Sequence, residues 1–208
     1  MIDVKDQEQL LELISNLLSK NITCVAIGGT AMMFLGYKTT TKDIDLIFKS
    51  EEDCKIFIEA IEQLGYKERS LTDVYDSEHR EHKNKPKMFT REDERFDLFV
   101  KNVFGYELNH DFVERRDFIG KKELVIHVLS KEDLILLKAI TGRERDFEDI
   151  ETIIDIEKNI DWKLIVDKAV RQKGSSPWIL IDLEENLQKL KKKSFIPHQV
   201  FERIYKAK

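Results

Sequence analysis

Cysteine is scarce in this 208-residue chain: Cys24 and Cys54 are the only two, and each sits inside an apolar segment. That argues against a disulfide framework or a thiolate metal site and makes a reducing, cytoplasmic setting the expectation. Three prolines and eight glycines form no low-complexity tract, and no internal repeat is visible. No apolar run approaches the roughly 20 residues that a membrane span requires; the richest, Leu134–Ile140, is short and flanked by charges. The opening Met1–Leu11 is acidic and passes straight into amphipathic spacing, unlike the basic-then-apolar order of a signal peptide. Neither sign of charge dominates. With 35 Lys and Arg against 40 Asp and Glu, the net charge of −5 does not announce a dedicated nucleic-acid binder. A soluble, cytoplasmic protein with no membrane partner is expected.

What is present is a mixed globular composition, 41% hydrophobic and 36% charged, in a chain long enough for one large domain or two small ones. The charge is uneven. Residues 130–208 carry 16 basic and 15 acidic side chains, whereas the first 129 carry 19 and 25. An acidic front half suits carboxylates gathered around cations, and equally suits ordinary surface composition.

Leu10, Leu13, Ile14, Leu17 and Leu18 form the apolar stripe of an amphipathic helix over residues 5–20. Ile22–Ile27 reads as a buried strand ending at Gly28-Gly29, and Thr30–Tyr37 as a short helix. Asp43–Phe48 (DIDLIF) suits a strand and Glu51–Leu64 a helix stopped by Gly65. Residues 76–87 are charged and aperiodic, a loop containing His79 and His82. Lys87–Thr90 and Arg95–Val100 read as strands joined by Arg91–Glu94, and Phe118–Leu129 as a strand pair turning at Gly120-Lys121. Ser130 and Asp133 resemble a capping box, opening helical patterns at 134–140, 145–157, 161–173, 178–192 and 197–206. The expectation is an α/β part over 1–129 and a helical part over 130–208.

Asp43-Ile44-Asp45 is the sharpest local feature. In a strand, residues i and i+2 share a face, so both carboxylates point one way while Ile44, Leu46 and Phe48 point to the core. Two such charges repel unless a cation lies between them, and hard divalent ions take oxygen ligands of this kind. A bare pair of this type also describes two solvated residues on a half-exposed strand. Three companions strengthen the ligand reading. Gly28-Gly29-Thr30 offers bare backbone N–H groups at a helix start. Asp97, in Arg95-Phe96-Asp97-Leu98-Phe99-Val100, faces away from the apolar set and is a candidate third ligand if its strand pairs with Asp43–Phe48. The spacing between the glycines and the acidic pair allows a short helix and a return.

Gly28-Gly29, then Asp43-Ile44-Asp45, then Asp97 on a later strand resemble the DNA polymerase β-like nucleotidyltransferase superfamily. That signature is a hydrophobic residue, Gly and Gly or Ser, a helix, an Asp-hydrophobic-Asp/Glu strand, and a later carboxylate. More narrowly, Gly36–Leu46 (GYKTTTKDIDL) with Glu132–Ile150 (EDLILLKAITGRERDFEDI) is similar to the abortive-infection toxin nucleotidyltransferases, in which a lysine-bearing helix precedes an acidic segment. The likeness spans roughly residues 22–150. It implies an α+β fold, a small mixed β-sheet nucleotidyltransferase core flanked by helices and followed by a C-terminal helical bundle. It also implies transfer of a nucleoside monophosphate from an NTP to an acceptor hydroxyl. Asp43, Asp45 and Asp97 would be catalytic and would bind Mg²⁺ or Mn²⁺, with Asp97 nearest the attacking hydroxyl. Gly28, Gly29 and Thr30 would hold the triphosphate, with Lys138 and either Asp146 or, preferably, Asp149 contributing to nucleotide binding; by its residues alone Lys138 reads equally as a solvated lysine on an amphipathic helix. The acceptor would be RNA (tRNA among others), protein or a small molecule, and a cognate antitoxin is a further implied partner.

The sequence departs from the toxin pattern at Thr39, where arginine is usual; Lys38 lies one residue earlier, but a lysine does not replace a planar bidentate guanidinium. A catalytically silent member of the fold, binding nucleotide or protein, is therefore the alternative, and a phosphohydrolase using the same carboxylates is a third. The scattered histidines make no zinc set. Lys189 and Lys191–Lys193 read either as a site for a polyanion or as a solvated helix end, and Trp162 and Trp178 as core anchors.

Overall fold

A computed structural model of the chain describes residues 2–69, 85–103, 105–107, 113–114, 123–172 and 178–208. These fall into two compact units, residues 1–129 and 130–208. The first begins with β1 (Ile2–Asp3) and α1 (Val4–Ser15), whose start is capped by the Asp3 carboxylate accepting from the Asp6 N–H at 2.8 Å. There follow β2 (Ile22–Ala26), α2 (Gly28–Phe34), β3 (Thr40–Thr41), β4 (Asp43–Phe48) and α3 (Glu51–Gln63). Strands β5 (Lys67–Arg69), β6 (Lys87–Arg91), β7 (Glu94–Val100), β8 (Asn102–Val103), β9 (Tyr106–Glu107), β10 (Val113–Glu114) and β11 (Leu124–Leu129) complete it.

Seven strands form one mixed sheet in the order β10-β11-β2-β4-β7-β6-β5. Strands β11 and β2 run parallel, as do β4 and β7; the remaining neighbours are antiparallel. Alternation gives β4 and β7 one wholly apolar face. Phe57 of α3 covers it, with its ring 5.2 Å from Phe48 and 5.6 Å from Phe96, and Tyr66 closes on Phe96 at 5.0 Å. Hairpin β6–β7 turns on Glu92, which adopts a left-handed φ of 53°. The expected turn at Gly120-Lys121 lies outside the described residues, as do His79, His82, His110 and most of the charged loop. Both cysteines are buried free thiols, and burial pushes that of Cys54 up to about 11.

The second unit consists of helices: α4 (Lys131–Thr141), α5 (Glu144–Ile156), α6 (Trp162–Arg171), α7 (Ile179–Leu190) and α8 (His198–Ala207). The expected cap at the start of α4 is present, with Ser130 Oγ accepting from the Asp133 N–H at 3.2 Å and donating to its carboxylate at 2.7 Å. Helix α4 is buried all round from Glu132 to Ala139, because α5, α6 and α7 pack about it. At its end Gly142 takes a left-handed φ of 61°, and a Cβ there would lie 2.6 Å from Asn186 Nδ2. The fold class is thus the α+β architecture that the sequence implies, and among the described residues no helix is long and apolar enough to cross a membrane.

One expectation changes. Trp178 is no core anchor: it occupies the N-cap of α7 and is 50% exposed. Lys191, Lys192 and Lys193 at the end of α7 are exposed, as a solvated helix end would be, with Lys191 over the Phe201 ring at 4.9 Å and Lys193 3.3 Å from Glu151.

Candidate active site

The parallel register of β4 and β7 sets Asp43 opposite Arg95 and Asp45 opposite Asp97. By alternation all four side chains stand on the face that α3 does not cover. Three carboxylates and one guanidinium thus form a two-by-two patch on adjacent strands. Arg95 Nη2 donates to Asp43 Oδ2 at 2.6 Å and to Asp97 Oδ2 at 2.9 Å, so one donor atom joins the first and third acidic residues. Asp97 is the most enclosed, its side chain 6% exposed against 29% for Asp43 and 28% for Arg95. Burial works against the charge of Arg95, but the Asp97 and Asp43 carboxylates outweigh it and hold its pKa above the ordinary value.

Arg95 is the residue that sequence reasoning missed. The signal was available: Arg-x-Asp has the same i, i+2 spacing as Asp-x-Asp, so in a strand Arg95 must share the face of Asp97.

The glycine bend lies directly against this patch. Gly28 has a φ of +54°, and a Cβ there would stand 2.5 Å from Asp45 Oδ2. Gly29 donates its N–H to the same oxygen at 3.2 Å. Both glycines therefore lie within the first turn of α2, where the sequence placed them in a turn before the helix. Thr30 is fully buried. Its hydroxyl accepts from the Asp45 N–H at 2.8 Å and donates to the Asp43 carbonyl at 3.4 Å, fastening α2 to β4 between the two acidic residues. Thr41 Oγ1 donates to the same carbonyl at 3.1 Å. Thr30 thus fixes the position of the acidic pair, and its hydroxyl is committed to backbone. Gly28→Ala is expected to destabilise the first unit by about 1–2 kcal/mol through left-handed strain alone and to push Asp45 aside. A fall in Tm with an altered Asp45 position by crystallography or NMR checks this; an unchanged Tm contradicts it.

Lys138 and Asp149 belong to the helical unit, where they meet each other. Lys138 Nζ, 6% exposed at the side chain, lies 2.5 Å from Asp149 Oδ2 and 3.3 Å from Asp146 Oδ1. Burial acts against ionised Asp146, yet the Arg143 and Lys138 charges and the Thr141 hydroxyl prevail and hold its pKa below the usual carboxylate range. A second buried pair joins Lys168 of α6 to Asp133 at 2.6 Å. Lysine 138 is therefore neither a solvated residue on an amphipathic helix nor an unengaged cation: α4 is enclosed, and its charge is matched inside.

Several solved structures align with the chain at low identity. The solution structure of the antibiotic-resistance factor ANT(2'')-Ia aligns at 15% identity over 89% of this chain and 98% of that one, with a TM-score of 0.51. The crystal structure of ANT(2'')-Ia in complex with adenylyl-2''-tobramycin aligns at 14% identity over 88% and 98%, with a TM-score of 0.45. That of JHP933 from Helicobacter pylori aligns at 14% identity over 98% and 88%, with a TM-score of 0.42. No curated protein gives a significant match. The glycine bend, the acidic pair and the third carboxylate thus stand together on a fold shared with the solution structure of ANT(2'')-Ia, and a family signature runs through residues 5–199: the chain belongs to the family described as nucleotidyltransferase of unknown function (DUF6036).

Proposed function

We propose that the chain moves a nucleoside monophosphate from an NTP to an acceptor hydroxyl at the β4–β7 carboxylate face, with Mg²⁺ or Mn²⁺ as cofactor. The single observation that supports this most is the register that sets Asp45 opposite Asp97 while Gly28 and Gly29 press against Asp45. The donor chemistry suits a hard cation, since carboxylate oxygens on neighbouring strands are its preferred ligands. Among the described residues no three His, Cys, Asp or Glu side chains stand ready to hold an ion. The guanidinium of Arg95 takes the place between Asp43 and Asp97, so these residues fit an ion once Arg95 turns aside.

Asp43, Asp45 and Asp97 would then hold the ion, which when bound neutralises charge on the triphosphate and lowers the cost of ionising the acceptor hydroxyl. The chain's own contributions are positional. Thr30 and Thr41 hold β4 at the carbonyl of Asp43, and the missing side chains at positions 28 and 29 let Asp45 and Thr41 seat directly against the start of α2. Asp97, 6% exposed at the side chain and set opposite Asp45 and Met88 on the two neighbouring strands, accepts the acceptor hydroxyl's proton. No Ser or Cys nucleophile is needed for such a displacement. Lys138 reaches a nucleotide only by leaving two carboxylates, so in this reading its first task is to hold α4 to α5.

RNA, protein and small molecules remain the acceptor classes, the first two favoured by the toxin-like sequence pattern. A test incubates the chain with each α-labelled NTP and Mg²⁺ against tRNA, a protein extract and a small-molecule fraction. Label on one acceptor class with wild type, and none with Asp43→Ala, is the expected result. Labelled free nucleotide alone would replace transfer by hydrolysis. Metal-dependent NTP binding without any product would favour the silent alternative that Thr39 motivates.

A further inference from the structure

We infer that Arg95 is the resident counter-ion of the carboxylate face, and that a divalent cation binds there by displacing its guanidinium from Asp43 and Asp97. This deepens the nucleotidyltransferase reading of the same face and rests on it. The geometry carries the inference in three steps. First, one nitrogen of Arg95 serves both flanking carboxylates, at 2.6 and 2.9 Å, which is the bridging position that a cation shared by Asp43 and Asp97 would occupy. A guanidinium keeps its charge at every accessible pH, so it neutralises this face under all ordinary conditions. Second, its seat is incomplete. Arg95 Nε is buried and has no acceptor among the described residues. A donor left unmade weakens the attachment. Third, the exchange has a path. The Arg95 side chain is 28% exposed, whereas Asp97 is 6% exposed and fixed in the middle of the sheet between β4 and β6. The guanidinium can leave while the carboxylates stay.

The consequence is competition. An ion sees a site whose competent form is only the fraction with Arg95 withdrawn, and its apparent affinity is reduced by that fraction. An incoming triphosphate offers the displaced guanidinium new oxyanions in the bidentate geometry it prefers. Ion and nucleotide would therefore bind together more readily than the ion alone.

The test titrates Mn²⁺ alone, without nucleotide, into wild type, Arg95→Gln and Arg95→Lys, with free Mn²⁺ read by electron paramagnetic resonance. Arg95→Gln is expected to bind Mn²⁺ at least tenfold more tightly than wild type. Arg95→Lys, which keeps the charge but not the planar fork, should fall between them. Without metal the Gln variant should melt below wild type, and saturating Mn²⁺ should raise its Tm by more than it raises that of wild type. A merely structural Arg95 predicts the opposite sign, because a loosened face would bind the ion more weakly. Equal or weaker Mn²⁺ affinity in both variants overturns the inference while leaving the carboxylate site intact. Mn²⁺ binding that survives Asp97→Asn in the Arg95→Gln background removes the ion from this face altogether, and the underlying reading fails with it.

Discussion

Asp97→Asn is expected to lower nucleotidyl transfer by about 10²–10⁴-fold, the range for losing a positioned proton acceptor, with the fold retained. Asparagine matches aspartate in size and keeps a carbonyl oxygen that can still accept from Arg95, so packing beside Met88 changes little. What is lost is the charge. Of the three carboxylates, that of Asp97 is the least exposed, at 6%, and no nearby side chain on β7 shares its face except Arg95 and Phe99. Water cannot readily take over its part. Asp43, nearly a third exposed, has more solvent at hand, and its removal should cost less. Steady-state rates on whichever acceptor is labelled, paired with a thermal melt, separate chemistry from folding. Transfer within threefold of wild type would remove Asp97 from the reaction.

Lys138→Met should destabilise the helical unit by about 3–5 kcal/mol, the cost of stripping one partner from a buried ion pair. Methionine fills the space on α4, so the loss is electrostatic: Asp149 is left ionised in an enclosed site with its 2.5 Å partner gone. Asp146 is less affected, because Arg143 lies 2.8 Å from it and Thr141 donates to it at 2.7 Å. Replacing both Lys138 and Asp149 by apolar residues should recover most of the loss, since well-packed apolar pairs often match a buried ion pair in stability. Chemical denaturation of the whole chain checks both, with a probe in each unit because two units need not unfold in one step. A single variant losing less than about 1 kcal/mol would contradict the buried-pair account. A nucleotide role for Lys138 would show separately, as a raised KM for NTP in the apolar double variant at normal stability.

Local chemistry made much of this protein legible. Alternation in DIDLIF and RFDLFV is enough to assign the apolar and charged faces of both strands, and the Ser130 cap announces α4. Gly28-Gly29 signals a bend. Where inference fell short, the cause was an interaction between segments remote in sequence. Lys138 looks solvated because its helix carries charges at both ends, and only the packing of α5, α6 and α7 around α4 encloses it. Trp178 looks like a core residue by type, but a position at the very start of α7 leaves half of it in solvent.

The acidic pair, the third carboxylate and the glycine bend could be picked out from the chain by itself, because each depends on the period of a strand or the conformational freedom of one residue. That Asp45 stands opposite Asp97, and that Arg95 reaches across to Asp43, was decided by the pairing of β4 with β7. A one-residue slip of β7 in that register would turn Arg95 and Asp97 to the other face, away from Asp43 and Asp45. The apolar contacts of Phe57 and Tyr66 with Phe96 hold the register where it is. Composition names the charges; only the packed sheet brings them within reach of one another.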